Sequence, residues 1–87
     1  MRSQRVKRFR KPVVVQPGRI DRDRVVVSAL DAADMLLHSW LNPTSDARHH
    51  AIRACIAVLR DRQPARAARQ AFVAAAKDAR IFLGDRA

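Results

Sequence analysis

Six cations, Arg2, Arg5, Lys7, Arg8, Arg10 and Lys11, crowd the first eleven residues, and no acid appears before Asp21. A flexible basic segment of this kind neutralises phosphates and releases counterions from a nucleic acid, and the same charge logic serves a lipid headgroup. No aromatic residue stands before Phe9. Base stacking is therefore not expected of this segment, which leaves phosphate contact without sequence preference. The plain alternative is a solubilising tail, or a few residues translated from a start codon placed too early. A second set of cations, Arg66, Arg69, Lys77 and Arg80, falls on one face of a helical stretch near the end of the chain, and His49, Arg53 and Arg60 share a stripe of the preceding one. These faces either extend a phosphate track or are ordinary solvated surface. They carry no evident set of Asn, Gln and Ser base readers, so a helix-turn-helix reading a specific sequence is not expected.

The other reactive residue types point away from catalysis. His38, His49, His50 and Cys55 suggest zinc, but adjacent histidines diverge by about 100° on a helix and Cys55 projects into an apolar arc. His38 has an ordinary partner in Asp34, one turn earlier. A thiol in the middle of a core arc is a small hydrophobe, because a nucleophilic thiolate needs an accessible, electropositive setting. Trp40, between Leu36 and Leu41, reads as core packing rather than a ligand platform. The chain has no glutamate and only two glycines, which leaves neither paired carboxylates for acid/base work nor a phosphate-cradling loop. The expectation is a non-enzymatic binding protein, with no cofactor, no metal and no small-molecule substrate. Its expected partner is nucleic acid, held by Arg2, Arg5, Lys7, Arg8, Arg10, Lys11, Arg66, Arg69, Lys77 and Arg80. The alternative is a protein-interaction module, homodimeric through its open sheet edges, in which the basic arm is dispensable. Val73 and Met35 are expected to be exposed apolar residues suited to such a contact.

These side chains have to be positioned by a small framework. The chain has 87 residues and a net charge of +10, fifteen arginines against three lysines, and one cysteine. That length allows one domain with a small core, and the single cysteine excludes an internal disulfide. No apolar run approaches the roughly 18 residues of a membrane span, and the expected location is the cytoplasm. Residues 1–8 read as a disordered basic arm and residues 9–84 as one α+β domain. Val13–Val15 and Val25–Val27 read as two strands of an antiparallel hairpin about Pro17-Gly18. A tight turn at Gln16–Arg19 pairs Val15 with Ile20, whereas a loop over 16–24 pairs valine with valine, and the pattern leaves both open. Ser28-Ala29-Leu30-Asp31 fits a capping box that starts a first helix. Its inward arc is Ala29, Leu30, Ala33, Leu36, Leu37, Trp40 and Leu41, and Asn42-Pro43 ends it. Ser45-Asp46 caps a second helix reaching about Arg62, with Ala47, Ala51, Ile52, Ala54, Cys55, Ile56, Val58 and Leu59 inward. The third runs from Pro64, at its first position, to Phe82. Ala68, Ala71, Phe72, Ala75, Ala76, Ala79 and Phe82 face inward, and Gly84 is its C-terminal cap. The expected architecture is thus a two-stranded antiparallel hairpin followed by three helices, ββααα.

The valine strand after Phe9 and Pro12, Asp31-Ala32-Ala33 with Leu36-Leu37 and Trp40, Ala54-Cys55 with Leu59, and Ala68-Arg69-Gln70-Ala71-Phe72 with Ala74-Ala75-Ala76 together resemble a known family. It is a family of small alphaproteobacterial proteins known as domain of unknown function 982, and the resemblance covers roughly residues 9 to 83. The resemblance supports the fold and implies no catalytic residue. The family pattern tends to place a proline after the tryptophan and a glycine after the second helix. Leu41 and Arg60-Asp61 stand there instead, so the two interhelical turns are expected to differ in shape.

Overall fold

The computed structural model describes residues 7–17, 23–40 and 43–85. In chain order these form β1 (Arg8–Val15), β2 (Arg24–Ser28), α1 (Ala29–His38), α2 (Asp46–Leu59), α3 (Ala65–Asp78) and β3 (Phe82–Asp85). The architecture is α+β, but the two-stranded hairpin is corrected to a three-stranded antiparallel sheet of order β2-β1-β3. The expected third helix ends early, at Asp78, and Ile81 to Asp85 return to the sheet.

The physical reason lies at the helix ends. After α3 the Arg80 N–H donates to the Lys77 carbonyl at 3.1 Å and the Ile81 N–H to that of Ala76 at 2.9 Å, with Arg80 at φ 63°. This is a Schellman termination, with arginine in the left-handed position that glycine usually fills. Gly84 is therefore not the cap. It sits in β3 at φ 146°, a conformation open to glycine, beside a bulge. Val15 pairs with Phe82 and Val14 with Gly84, which leaves Leu83 as the extra residue. The same termination closes α2: the Asp61 N–H donates to the Val58 carbonyl and the Arg62 N–H to that of Ala57, with Asp61 at φ 63°. Asp61 thus holds the left-handed position that glycine usually fills. The second helix stops at Leu59 rather than near Arg62, and Pro64 is the residue before α3 rather than its first.

Between β1 and β2, Val13 pairs with Val26, Val14 with Val25 and Val15 with Arg24, so the wide loop is the one adopted. Arg8 pairs with Ser28, which leaves Phe9 to Pro12 opposite Val27 alone. That bulge accommodates a proline in the central strand, where a regular ladder would need its missing N–H.

Both expected N-caps form. Ser28 Oγ accepts from the Asp31 N–H at 3.1 Å, and Asp31 Oδ2 accepts in return from the Val27 N–H at 3.3 Å. Ser45 Oγ accepts from the Arg48 N–H and donates to Asp78 Oδ2 at 3.0 Å, tying the start of α2 to the end of α3. Arg48 acts as a strap between α1 and α2. Its Nε donates to the Leu36 carbonyl and its Nη1 to the Pro43 carbonyl, both at 2.8 Å.

The core lies between the sheet and the helices. Val13, Val15 and Val26 face Ala29, Ala32, Ala33, Met35 and Leu36 of α1, Ala51, Cys55 and Val58 of α2, and Ala68, Ala71, Phe72, Ala75 and Ala76 of α3. Alanines let the helices approach closely, and Phe72 fills the centre with Trp40 tilted against it at 5.6 Å between ring centroids. The inward arc of α1 is rotated from the expected one: Met35 is fully buried, while Leu30 and Leu37 are 44% and 53% exposed. Ile56 of α2 is also exposed, Val73 is half-buried, and Phe82 packs from β3 rather than from a helix.

Candidate cationic groove

Beside the sheet, α3 lies along β1, and this neighbourhood assembles the candidate site. Arg10 and Lys11 of β1 and Arg66, Arg69 and Gln70 of α3 line an open groove of about 340 Å³. The bulge at Phe9–Pro12 breaks the strict alternation of β1, so Arg10 and Lys11 are both exposed despite being neighbours in a strand. Arg66 is exposed one turn before Arg69 and Gln70. The Arg69 Nε–H donates to the Lys11 carbonyl at 2.8 Å, which fixes the helix to the strand across the floor of the groove. Among the described residues no carboxylate lines it, and this raises the local positive potential.

The fold separates the remaining expected cations from this groove. Lys7, assigned from sequence to the arm, is 5% exposed and forms an ion pair with Asp61, while its carbonyl accepts from the Ala29 N–H. Arg8 opens β1 and is exposed. Lys77 lies 5.3 Å from the centroid of the Phe82 ring, a cation–π contact, and Arg80 serves the helix termination. Lys77 is eleven residues beyond Arg66, about 16 Å along the helix. Arg2 and Arg5 lie outside the described residues.

Across α3 a second hollow of about 400 Å³ is lined by His50 and Ala54 of α2, Gln63, and Ala67, Gln70, Ala71 and Ala74 of α3. Gln70 borders both hollows. In the sequence His50 suggests only a metal ligand, and Gln63 and Gln70 carry no local signal of a site. Their convergence depends on how α2 packs against α3, which no local pattern encodes. Cys55 is fully buried in the core, and desolvation pushes its thiol up to about 12. His49 and His50 are exposed, and His38 stands 3.9 Å from Asp34 on the outer surface. Among the described residues no helix is long and apolar enough to cross a membrane.

Sequence order, strand pairing and helix packing together define a small α+β domain of one family. The chain belongs to the family described as protein of unknown function (DUF982), whose model matches residues 11–83. It is also similar to a solved structure, determined by NMR, of an Agrobacterium tumefaciens protein. The two share 31% sequence identity at a TM-score of 0.74, with 92% of this chain and 79% of the other covered. A comparison with curated proteins finds no match.

Proposed function

We propose that this protein is a non-enzymatic binder of nucleic acid that holds phosphates by charge. The observation that carries this reading is the groove in which β1 and α3 bring Arg10, Lys11, Arg66 and Arg69 together, with no carboxylate among its described lining residues. Arg2 and Arg5 add charge from the N-terminal segment. No base-reading helix is invoked, and binding is governed by salt.

The test is a titration of labelled DNA and RNA with the full chain at several salt concentrations. Three phosphates held by the exposed Arg10, Lys11 and Arg66 side chains give a log–log salt slope of about −2.7 on duplex DNA, steeper if Arg2 and Arg5 also engage. Arg10→Ala and Arg66→Ala each flatten that slope by about 0.9. Slopes unchanged in these variants, or no binding near physiological salt, refute the reading. Binding to anionic vesicles but not to nucleic acid would replace it with a lipid headgroup contact.

A second reading is supported by exposed Val25 on β2 and Leu83 on β3, the two edge strands, at 41% and 51% exposure. Apolar side chains beside open edges favour pairing between two copies of the chain. Sedimentation across a range of protein concentrations separates a homodimer from a monomer.

A further inference from the structure

We propose that the hollow between α2 and α3 receives an unpaired nucleobase whose phosphate lies in the cationic groove, so that the ligand is single-stranded rather than duplex nucleic acid. This rests on the nucleic-acid reading above and specifies the class of ligand.

The two hollows differ in chemistry and share a border. Among the described lining residues, the first offers exposed cations and no acid, while the second has no Lys, Arg or acid. Gln70, on the ridge of α3, belongs to both. A ligand with an anionic end and a flat, neutral, hydrogen-bonding end fits that arrangement, and a nucleotide unit in a strand has this form. Four of the residues that line the second hollow are alanines, Ala54, Ala67, Ala71 and Ala74, so a ring can approach without displacing a large side chain there. Its volume of about 400 Å³ falls within the ordinary range of small-molecule pockets.

Beside these alanines stand the groups that read a splayed base. The Gln63 and Gln70 amides each present a donor and an acceptor, which can meet a Watson–Crick edge, and the His50 imidazole offers a stacking surface. Gln63 follows the Asp61 turn, whose backbone is set by its two helix-terminating hydrogen bonds and by the Lys7 ion pair. A duplex keeps its Watson–Crick edges paired and its rings stacked, so it can use the groove but not the hollow.

The experiment measures fluorescence anisotropy of the full chain, at one salt concentration, with three probes. They are a single strand of roughly ten nucleotides, the same strand with abasic sugars, and the corresponding duplex. The base-bearing strand should bind about tenfold more tightly than the abasic one. Gln63→Ala should reduce that preference, and Ala74→Phe, which fills the hollow from an exposed position, should abolish it. Neither side chain lines the cationic groove, so affinity for the abasic strand should persist in both variants. Equal affinity for base-bearing and abasic strands, or tighter binding of the duplex, overturns this inference while leaving the phosphate reading standing. Failure of all three probes to bind near physiological salt overturns both.

Discussion

Replacing Arg48 by alanine tests whether the strap between α1 and α2 holds the framework together. Two guanidinium N–H groups reach the carbonyls of Leu36 and Pro43, each at 2.8 Å. The Leu36 bond is partly buried and lies in the last turn of α1, where the helix dipole also favours a cation. A hydrogen bond to a charged group contributes about 1.5–3 kcal/mol when shielded and less when wet. The Pro43 bond is solvent-exposed. With the ordering of a long side chain set against them, the pair should contribute about 2 kcal/mol. For a domain of this size that is a fall in melting temperature of roughly 8–16 °C. Thermal unfolding followed by circular dichroism, with denaturant titration for the free energy, reads it directly. Arg48→Lys keeps the charge but lacks the fork that spans two carbonyls, and should recover about half of the loss. A loss in Arg48→Ala below about 0.5 kcal/mol, the range of an ordinary surface substitution, would refute the strap as a structural element.

Two further outcomes follow from local features. Because burial raises the Cys55 thiol to about 12 in the folded chain, its contribution to stability is complete below the unfolded-state value near 8.5 and is lost as pH rises toward the folded one. Melting curves above about pH 9 should therefore fall more steeply for the native chain than for Cys55→Ala, and a thiol reagent at neutral pH should label the chain only after unfolding. Parallel melting curves for the two chains would contradict the buried-thiol account. Arg80→Gly relieves a left-handed arginine backbone, offset by the greater freedom of glycine in the unfolded chain, for a net gain of about 0.5–1 kcal/mol by denaturant titration. A loss of stability would mean that the Arg80 side chain outweighs its backbone strain.

Helix starts were legible because a cap is a local chemical event. Ser28 and Ser45 each announce one through an oxygen that can reach an N–H within the next turn. Helix ends were not, because the usual signal is glycine and the left-handed positions here are occupied by Asp61 and Arg80. With no stop visible after Asp78, Phe82 continues the helical period, so the first residue of β3 reads as helix and the remainder as its cap. The inward arc of α1 was misplaced for a different reason. The arc drawn through the leucines is rotated from the one that packs, so Ala32 and Met35 take the interior with Leu36 while Leu30 and Leu37 face outward. The charge that defines the candidate site was plain in the sequence, whereas its grouping was not. Arg10 and Lys11 meet Arg66 and Arg69 only because β1 and α3 are neighbours. Lys7 was the least legible cation, since its partner Asp61 lies fifty-four residues away.

The pairing of β1 with β3 also bears on how the chain is made. Val13 finds Asp85 across seventy-two positions, with β2 and all three helices between them. During synthesis, one side of β1 therefore stays open until the ribosome has released almost every residue described here. Throughout that interval a run of three valines presents unpaired backbone, the kind of segment that draws nascent chains into aggregates. Lys11 and Pro12 stand immediately before this run, and a charge and a proline are the residues that guard such segments against premature pairing. The bulge in the folded sheet is what lets a residue of that guarding kind stand in the central strand.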